Sequence, residues 1–246
     1  MTAIRWSGFD RWTQAWWPQG ISVGSYDGIP IVLVSWFRKR ADGGVRLTVL
    51  NLESLRYWHL ALVDADGFSP VPVHAGGIVW SGDRLLVAAT HDGIREFRMS
   101  GILSRGRGQF VLPQVGMLDR AETFRYSFLA EGTDGLVAGE FAKDDSGRLA
   151  RLTLTEATVT VRDLHSPGIP EMQGALLIGG QWAVSSSRGD RQNGDLWTGA
   201  AGELVKHEGA LPPGPEDLAW WPERHQIWGA TEHPGKRYLY AVDWPV

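Results

Sequence analysis

Short apolar runs broken by Gly-, Asp- and Ser-containing turns recur along the whole chain, and one stretch shows the pattern clearly. Gly77-Ile78-Val79-Trp80, a Gly-Asp turn, Arg84 to Ala89, a His-Asp-Gly turn and Ile94 to Phe97 read as three strands of an antiparallel meander. A lone meander cannot bury both of its faces, so it needs neighbours of the same kind. Comparable units begin at Gln19, Gly76, Tyr126, Gln173 and Glu216. Their starts lie roughly 43 to 57 residues apart, around the period of four-stranded propeller blades.

The second strand of each unit is apolar and ends in a small or polar residue: Ile31 to Ser35, Leu85 to Thr90, Leu136 to Glu140, Trp182 to Ser186 and Ile227 to Glu232. Third strands are expected at Val45 to Leu50, Ile94 to Arg98, Arg148 to Leu152, Gly194 to Gly199 and Arg237 to Val242. The last unit is one strand short, whereas Ile4-Arg5-Trp6-Ser7-Gly8-Phe9 belongs to no unit. The N-terminal segment is therefore expected to supply the outer strand of the last unit and close the ring, removing an open sheet edge. The expected fold is all-β: one five-bladed β-propeller domain over residues 1–246, with four-stranded antiparallel blades. A β-sandwich is the competing fold, and a short amphipathic helix over Asp119 to Arg125 is the main helical alternative.

Composition narrows the function classes. The chain has 31 Gly, 13 Pro and 13 Trp, as many tight turns and a strand-rich core require, and no Cys, which excludes disulfides and thiol nucleophiles. Net charge is −4, and the only basic run, Arg38-Lys39-Arg40, reads as a solvated loop tip, so neither nucleic acid nor a membrane surface is an expected partner. Met1 to Gln19 contains no continuous apolar segment, which argues against a signal peptide or a membrane span. A cytoplasmic protein, a monomer or small homo-oligomer, is the expectation. No dinucleotide, flavin or haem motif occurs; Ser185-Ser186-Ser187 has no nucleophile elbow, and Arg105-Gly106-Arg107-Gly108 has no strand-to-helix context for a phosphate loop.

In a propeller the start of each first strand and the end of each second strand meet at one face. That rule gathers Gln19, Ser35 and Trp36; His74, Thr90 and His91; Arg125, Tyr126 and Glu140; Gln173 and Ser185 to Ser187; and Glu216, Glu232 and His233. Convergent polar groups in an apolar mouth are a binding-site pattern. Glu216 and Glu232 face each other across one hairpin, and neighbouring carboxylates push their pKa values apart, which separates a proton donor from a base. The candidate catalytic residues are Glu216, Glu232, Glu140 and His74; the candidate substrate-binding residues are Gln19, Trp36, Trp80, Thr90, Tyr126, Gln173 and Ser186. Trp16, Trp17, Trp220, Trp221 and Trp228 are assigned to the core between blades. Each candidate also has a structural reading, as a backbone cap or a satisfied core residue. No cofactor or metal is assigned, although Glu140, Glu216 and Glu232, with Gln19 or Gln173, are oxygen donors that would suit calcium, and His74 would join a zinc site.

The units Pro18-Gln19-Gly20-Ile21, His74 to Trp80, Gly139-Glu140, Gln173-Gly174, Pro215 to Leu218 and Thr231-Glu232 resemble those of uncharacterised actinobacterial five-bladed propeller proteins. The Gln-Gly blade openings are distantly similar to plant-type glutaminyl cyclases, a resemblance that implies cyclisation of N-terminal glutamine by a channel-mouth carboxylate. Here Ser35-Trp36 stands where that family has a glutamate at the end of the first unit's second strand. The expected function is binding of a small molecule or peptide end at the mouth with non-redox acid–base chemistry, such as cyclisation, elimination, hydrolysis or natural-product tailoring. The alternative is a non-catalytic module that binds a sugar or peptide.

Overall fold

A computed structural model describes residues 2–39, 43–119, 124–155 and 158–244. The chain opens with β1 (Thr2–Arg5) and a short helix α1 (Gly8–Trp12). Then follow β2 (Trp16–Tyr26), β3 (Ile29–Arg38), β4 (Val45–Asn51), β5 (Tyr57–Val63), β6 (Ile78–Ser81), β7 (Arg84–Ala89), β8 (Gly93–Arg98), the two-residue β9 (Leu103–Ser104) and β10 (Phe110–Leu118). The second half contains β11 (Phe128–Gly132), β12 (Gly135–Gly139), β13 (Leu149–Leu154), β14 (Val159–His165), β15 (Met172–Ile178), β16 (Gln181–Ser186), β17 (Gly194–Gly199), β18 (Val205–Leu211), β19 (Pro215–Trp221), β20 (Gln226–Thr231) and β21 (Tyr238–Asp243). Residues 120–123 and Arg40 lie outside the described residues, and with them most of the alternative helix and one end of the basic run.

Three sheets have four strands: β11 to β14, β15 to β18, and β19-β20-β21-β1. In the last of these, Ala3 pairs with Tyr240 and Ile4 with Leu239, so the first strand of the chain lies on the outer edge of its final sheet. The first two units do not form separate sheets as the repeat suggested. Val111 to Pro113 of β10 pair in parallel with β5, while Gln114 to Leu118 pair antiparallel with β8. A bulge between Gln114 and Gly116 bends β10 between its partners, merging the two units into one nine-stranded sheet.

The core is divided among the spaces between successive units. Leu33 and Leu47 pack with Leu85, Val87 and Phe97; Val79 and Leu86 pack with Leu129 and Ala138. Phe128 and Val137 join Leu176, Val184 and Ile227, and Trp228 and Leu239 of the last sheet meet Val32 and Trp36 of the first. Inner strands thus bury both faces, which accounts for their unbroken apolar runs.

Glycine permits the closest backbone approaches. A Cβ on Gly77 would stand 1.9 Å from the Leu129 nitrogen, and one on Gly20 would stand 2.8 Å from Gly77. The Ser35 hydroxyl donates to the Ala75 carbonyl at 2.7 Å, and Ser185 donates likewise to the Glu216 carbonyl at 2.9 Å. The same device, a serine near the end of a second strand holding the next inner strand, occurs in two units. Among the described residues no helix is long and apolar enough to cross a membrane.

Candidate functional site

A cavity of about 740 Å³ opens where β2, β15 and β19 begin and where β3, β7 and β20 end. Its size suits a small ligand. Glu216, Glu232, His74, Gln19, Gln173 and Thr90, all singled out from the sequence, line it together.

Local backbone structure brings the two glutamates to one wall. Pro215 pairs with Thr231, and the Glu232 N–H donates to the Gly214 carbonyl at 3.1 Å, which closes the open end of the β19–β20 hairpin. The register shifts between Pro215 and Leu218, so Glu216 and Asp217 are both buried despite being consecutive. Burial pushes the Glu216 carboxyl well above the usual carboxylate range, and repulsion from Glu232 and Asp217 adds to the shift. Among the described residues nothing hydrogen-bonds to that carboxyl. Burial also raises Glu232, to about 7, although Lys39, Arg237 and Gln19 favour its ionised form.

Asp217 sits behind this pair, fully buried. It accepts the N–H groups of Leu218, Ile21 and Ile78, tying three inner strands together, while burial pushes its carboxyl strongly upward. Arg237, also fully buried, donates from Nε to the Glu232 carbonyl at 2.6 Å and from Nη1 to the carbonyls of Asp10 and Thr13 at 3.1 and 2.7 Å. Its guanidinium lies near the rings of Trp17 and Trp36, and burial pulls its pKa down to about 10. The helix that supplies Asp10 is itself anchored by an Arg46–Asp10 ion pair of 2.5 Å and by hydrogen bonds of Asp10 with Tyr57 and His59.

The cavity wall also carries flat side chains. His74 stacks on Phe37 with centroids 4.2 Å apart, and burial lowers its pKa, which favours the neutral ring. Trp17 meets His233 edge-on at 6.1 Å and carries the Lys39 ammonium 4.5 Å above its ring. The Gln19 amide donates to the Pro18 carbonyl at 2.8 Å.

Five of the sequence-derived site residues lie elsewhere. The Glu140 carboxylate is clasped by Arg148 at 2.6 and 2.7 Å and by the Arg125 N–H at 3.0 Å. Burial opposes its charge, but these donors outweigh that effect and hold its pKa low. Trp36 is wholly buried: the side-chain alternation of β3 turns it into the core and leaves Phe37 facing the mouth. Tyr126 is buried beside Phe124, and its N–H donates to the Thr90 carbonyl at 3.1 Å. The Ser186 hydroxyl accepts the indole N–H of Trp197 at 3.0 Å, inside a sheet. Trp80 lies at the other end of β6, over Gly24, with its indole donating to Gly82 at 2.7 Å.

Sequence reasoning missed Phe37, Lys39, Ser127 and Phe141 on the cavity wall and assigned Trp17 to the core. Trp17 pairs with Phe37 beyond the bulge between Pro18 and Ile21, so a strand running past Gln19 was the available signal. With Glu140 tied to Arg148, the three glutamates do not gather. Among the described residues no group of three His, Cys, Asp or Glu side chains is placed to hold a metal ion.

No family model matches the chain, and no curated protein does. Solved structures match along nearly its whole length. CoXyl43, a GH43 β-xylosidase/α-arabinofuranosidase from a compost microbial metagenome, solved with xylotriose in a calcium-free form, is 11% identical, with 98% of this chain and 94% of that chain covered at a TM-score of 0.55. The GH43_1 enzyme from Xanthomonas citri complexed with xylotriose is 12% identical over 98% and 89% of the chains, TM-score 0.53. RS223-β-xylosidase is 10% identical over 92% and 91%, TM-score 0.52. At these identities the likeness concerns fold alone, and the fold it shows is propeller-like and all-β.

Proposed function

We propose that the cavity binds a small polar molecule or a peptide or saccharide end and moves protons with Glu216 and Glu232, without redox chemistry. The observation that carries this reading is the placement of two carboxyls with raised pKa on one hairpin, opening onto one cavity. Near neutral pH the more deeply buried Glu216 keeps its proton and serves as donor, while Glu232 titrates and its ionised form serves as base. Gln19, Gln173, Thr90 and neutral His74 orient the ligand, and Phe37 and Trp17 give it flat apolar surface. In one turnover Glu232 takes a proton from water or from a substrate hydroxyl or amine. Glu216 gives its proton to the departing atom, and exchange with solvent restores both groups.

The architecture in this reading is a five-bladed ring in which β5 and β10 bridge two blades and β1 closes the last. The β1–β21 pairing and the packing of the last sheet on the first support it. Because xylotriose is named with two of the similar structures, short oligosaccharides are the first ligands to test, beside N-terminal glutaminyl peptides and small lactones. A second reading, binding without chemistry, is favoured by the aromatic wall.

Native mass spectrometry with metal analysis, run on the protein and on folded Glu216→Gln and Glu232→Gln variants, tests both readings alongside a turnover assay on those ligands. Turnover lost in both variants while binding persists supports acid–base catalysis, and binding with no turnover in any form supports the second reading. A stoichiometric metal that disappears in the variants overturns the proton-carrier roles.

A further inference from the structure

A second cavity, of about 720 Å³, lies between the first two units, away from the mouth. Strand lengths explain it. β2 and β3 run for 11 and 10 residues, whereas the neighbouring β6 and β7 have 4 and 6, so the longer strands overhang. The overhang leaves a cavity whose floor is the buried pair Ile31 and Leu33 with the partly buried Val49, and whose lining includes both Trp58 and Trp80. Trp80 is set in place: Gly24 leaves room for its ring, and its indole is fixed to Gly82. Tyr26 and Trp58 are 66% and 39% exposed, large areas for aromatic rings to leave in water.

The rim carries one uncommitted charge of each sign. Asp83 is already engaged by the N–H and hydroxyl of Ser100 at 2.7 and 2.9 Å. Arg56 and Asp27 both line the cavity, and among the described residues neither side chain makes an ion pair or hydrogen bond. An apolar interior with a free cation and a free anion at its edge complements a small zwitterion with an apolar body.

We propose that this cavity binds a short apolar peptide with free ends, such as an aromatic dipeptide, its carboxylate on Arg56, its ammonium on Asp27 and its side chains between Trp58 and Trp80. The site is independent of the mouth. Phenylalanyl-leucine, its N-acetyl amide, phenethylamine and 3-phenylpropionate are titrated calorimetrically and by amide and indole chemical shifts. The dipeptide is expected to bind at least tenfold more tightly than the other three, with shifts at Trp58 and Trp80. Arg56→Met and Asp27→Asn each weaken it about tenfold without changing thermal stability, and Glu232→Gln leaves it unchanged. Equal binding of the uncharged amide, preference for either single-charge compound, shifts confined to the mouth, or no dipeptide binding at millimolar concentration would overturn the assignment.

Discussion

Arg237 and Glu232 are joined through backbone: the buried guanidinium donates to the Glu232 carbonyl at 2.6 Å and reaches the N-terminal segment through the carbonyls of Asp10 and Thr13. One side chain therefore fixes the end of β20 to the start of the chain and holds a positive charge behind the Glu232 carboxyl. Arg237→Met would leave three carbonyls without their donor, an expected loss of about 2–4 kcal/mol in denaturant unfolding. It would also raise Glu232 beyond about 7, visible in a carbon-detected NMR titration of the glutamates. Arg237→Lys keeps the charge but not the fork, so stability should fall while the Glu232 titration moves little.

The raised Glu232 carboxyl also makes stability depend on pH. Its value of about 7 in the folded protein lies above the ordinary 4.5, so between those values the folded state holds more protons than the unfolded one. Stability should therefore decline as pH rises from about 4.5 to about 7, with the penalty complete above that range. The Glu216 carboxyl, also raised by burial, adds a decline of the same sign as pH rises above the ordinary carboxylate value. Glu232→Gln is expected to flatten the slope in that window and to gain about 1–3 kcal/mol at pH 8. A slope unchanged in the variant would show that the titrating group lies elsewhere.

Glu140 predicts the opposite dependence. Arg148 and the Arg125 N–H hold its pKa below the usual carboxylate value, so its stabilisation is present above the unfolded pKa and lost as pH falls through the folded one. Glu140→Gln should cost about 2–4 kcal/mol at pH 7.5 and little once the native carboxylate is itself protonated. Ligand binding at the mouth should keep its pH profile in that variant, because Glu140 does not line the cavity.

Period and register explain which features were readable. The inner, second and third strands carry apolar runs between turn residues, and the third strand expected at Gly194 to Gly199 coincides with β17. The fourth strands are half-exposed and mixed in character: β14, Val-Thr-Val-Arg-Asp-Leu-His, has one buried residue, so its pattern carries little signal. The long reach of β10 across two units depends on pairing with β5, a non-local contact with no local mark. At the site, residues placed by strand-end position, such as Glu216, Glu232 and Gln173, reach the cavity. Trp36 does not, because one step along a strand exchanges core for mouth. Glu140 has the expected position but also a partner, Arg148, eight residues later and across the β12–β13 connection, which a list of strand ends does not include.

The tight centre of the fold provides the severest test. At Gly77 an added Cβ would lie 1.9 Å from the Leu129 nitrogen and 2.7 Å from the Phe128 carbonyl carbon, so backbone, not a movable side chain, would have to retreat. The Gly77 carbonyl also accepts the Ala88 N–H at 2.9 Å, which ties β6 to its own hairpin, while Gly20 presses from the β2 side. Relief in either direction would break pairing in one sheet or spread two inner strands whose N–H groups converge on Asp217. Gly77→Ala is therefore expected to cost more than about 4 kcal/mol or to prevent folding. Gly82→Ala serves as the control, because it lies in an exposed turn with nothing within 4 Å of its Cβ. There only the φ of +57° opposes the change, for about 1–2 kcal/mol. Circular dichroism and thermal melts of the two variants decide the matter: similar mild losses would mean that the inner strands are not packed backbone to backbone, and a collapse confined to Gly77→Ala would confirm that they are.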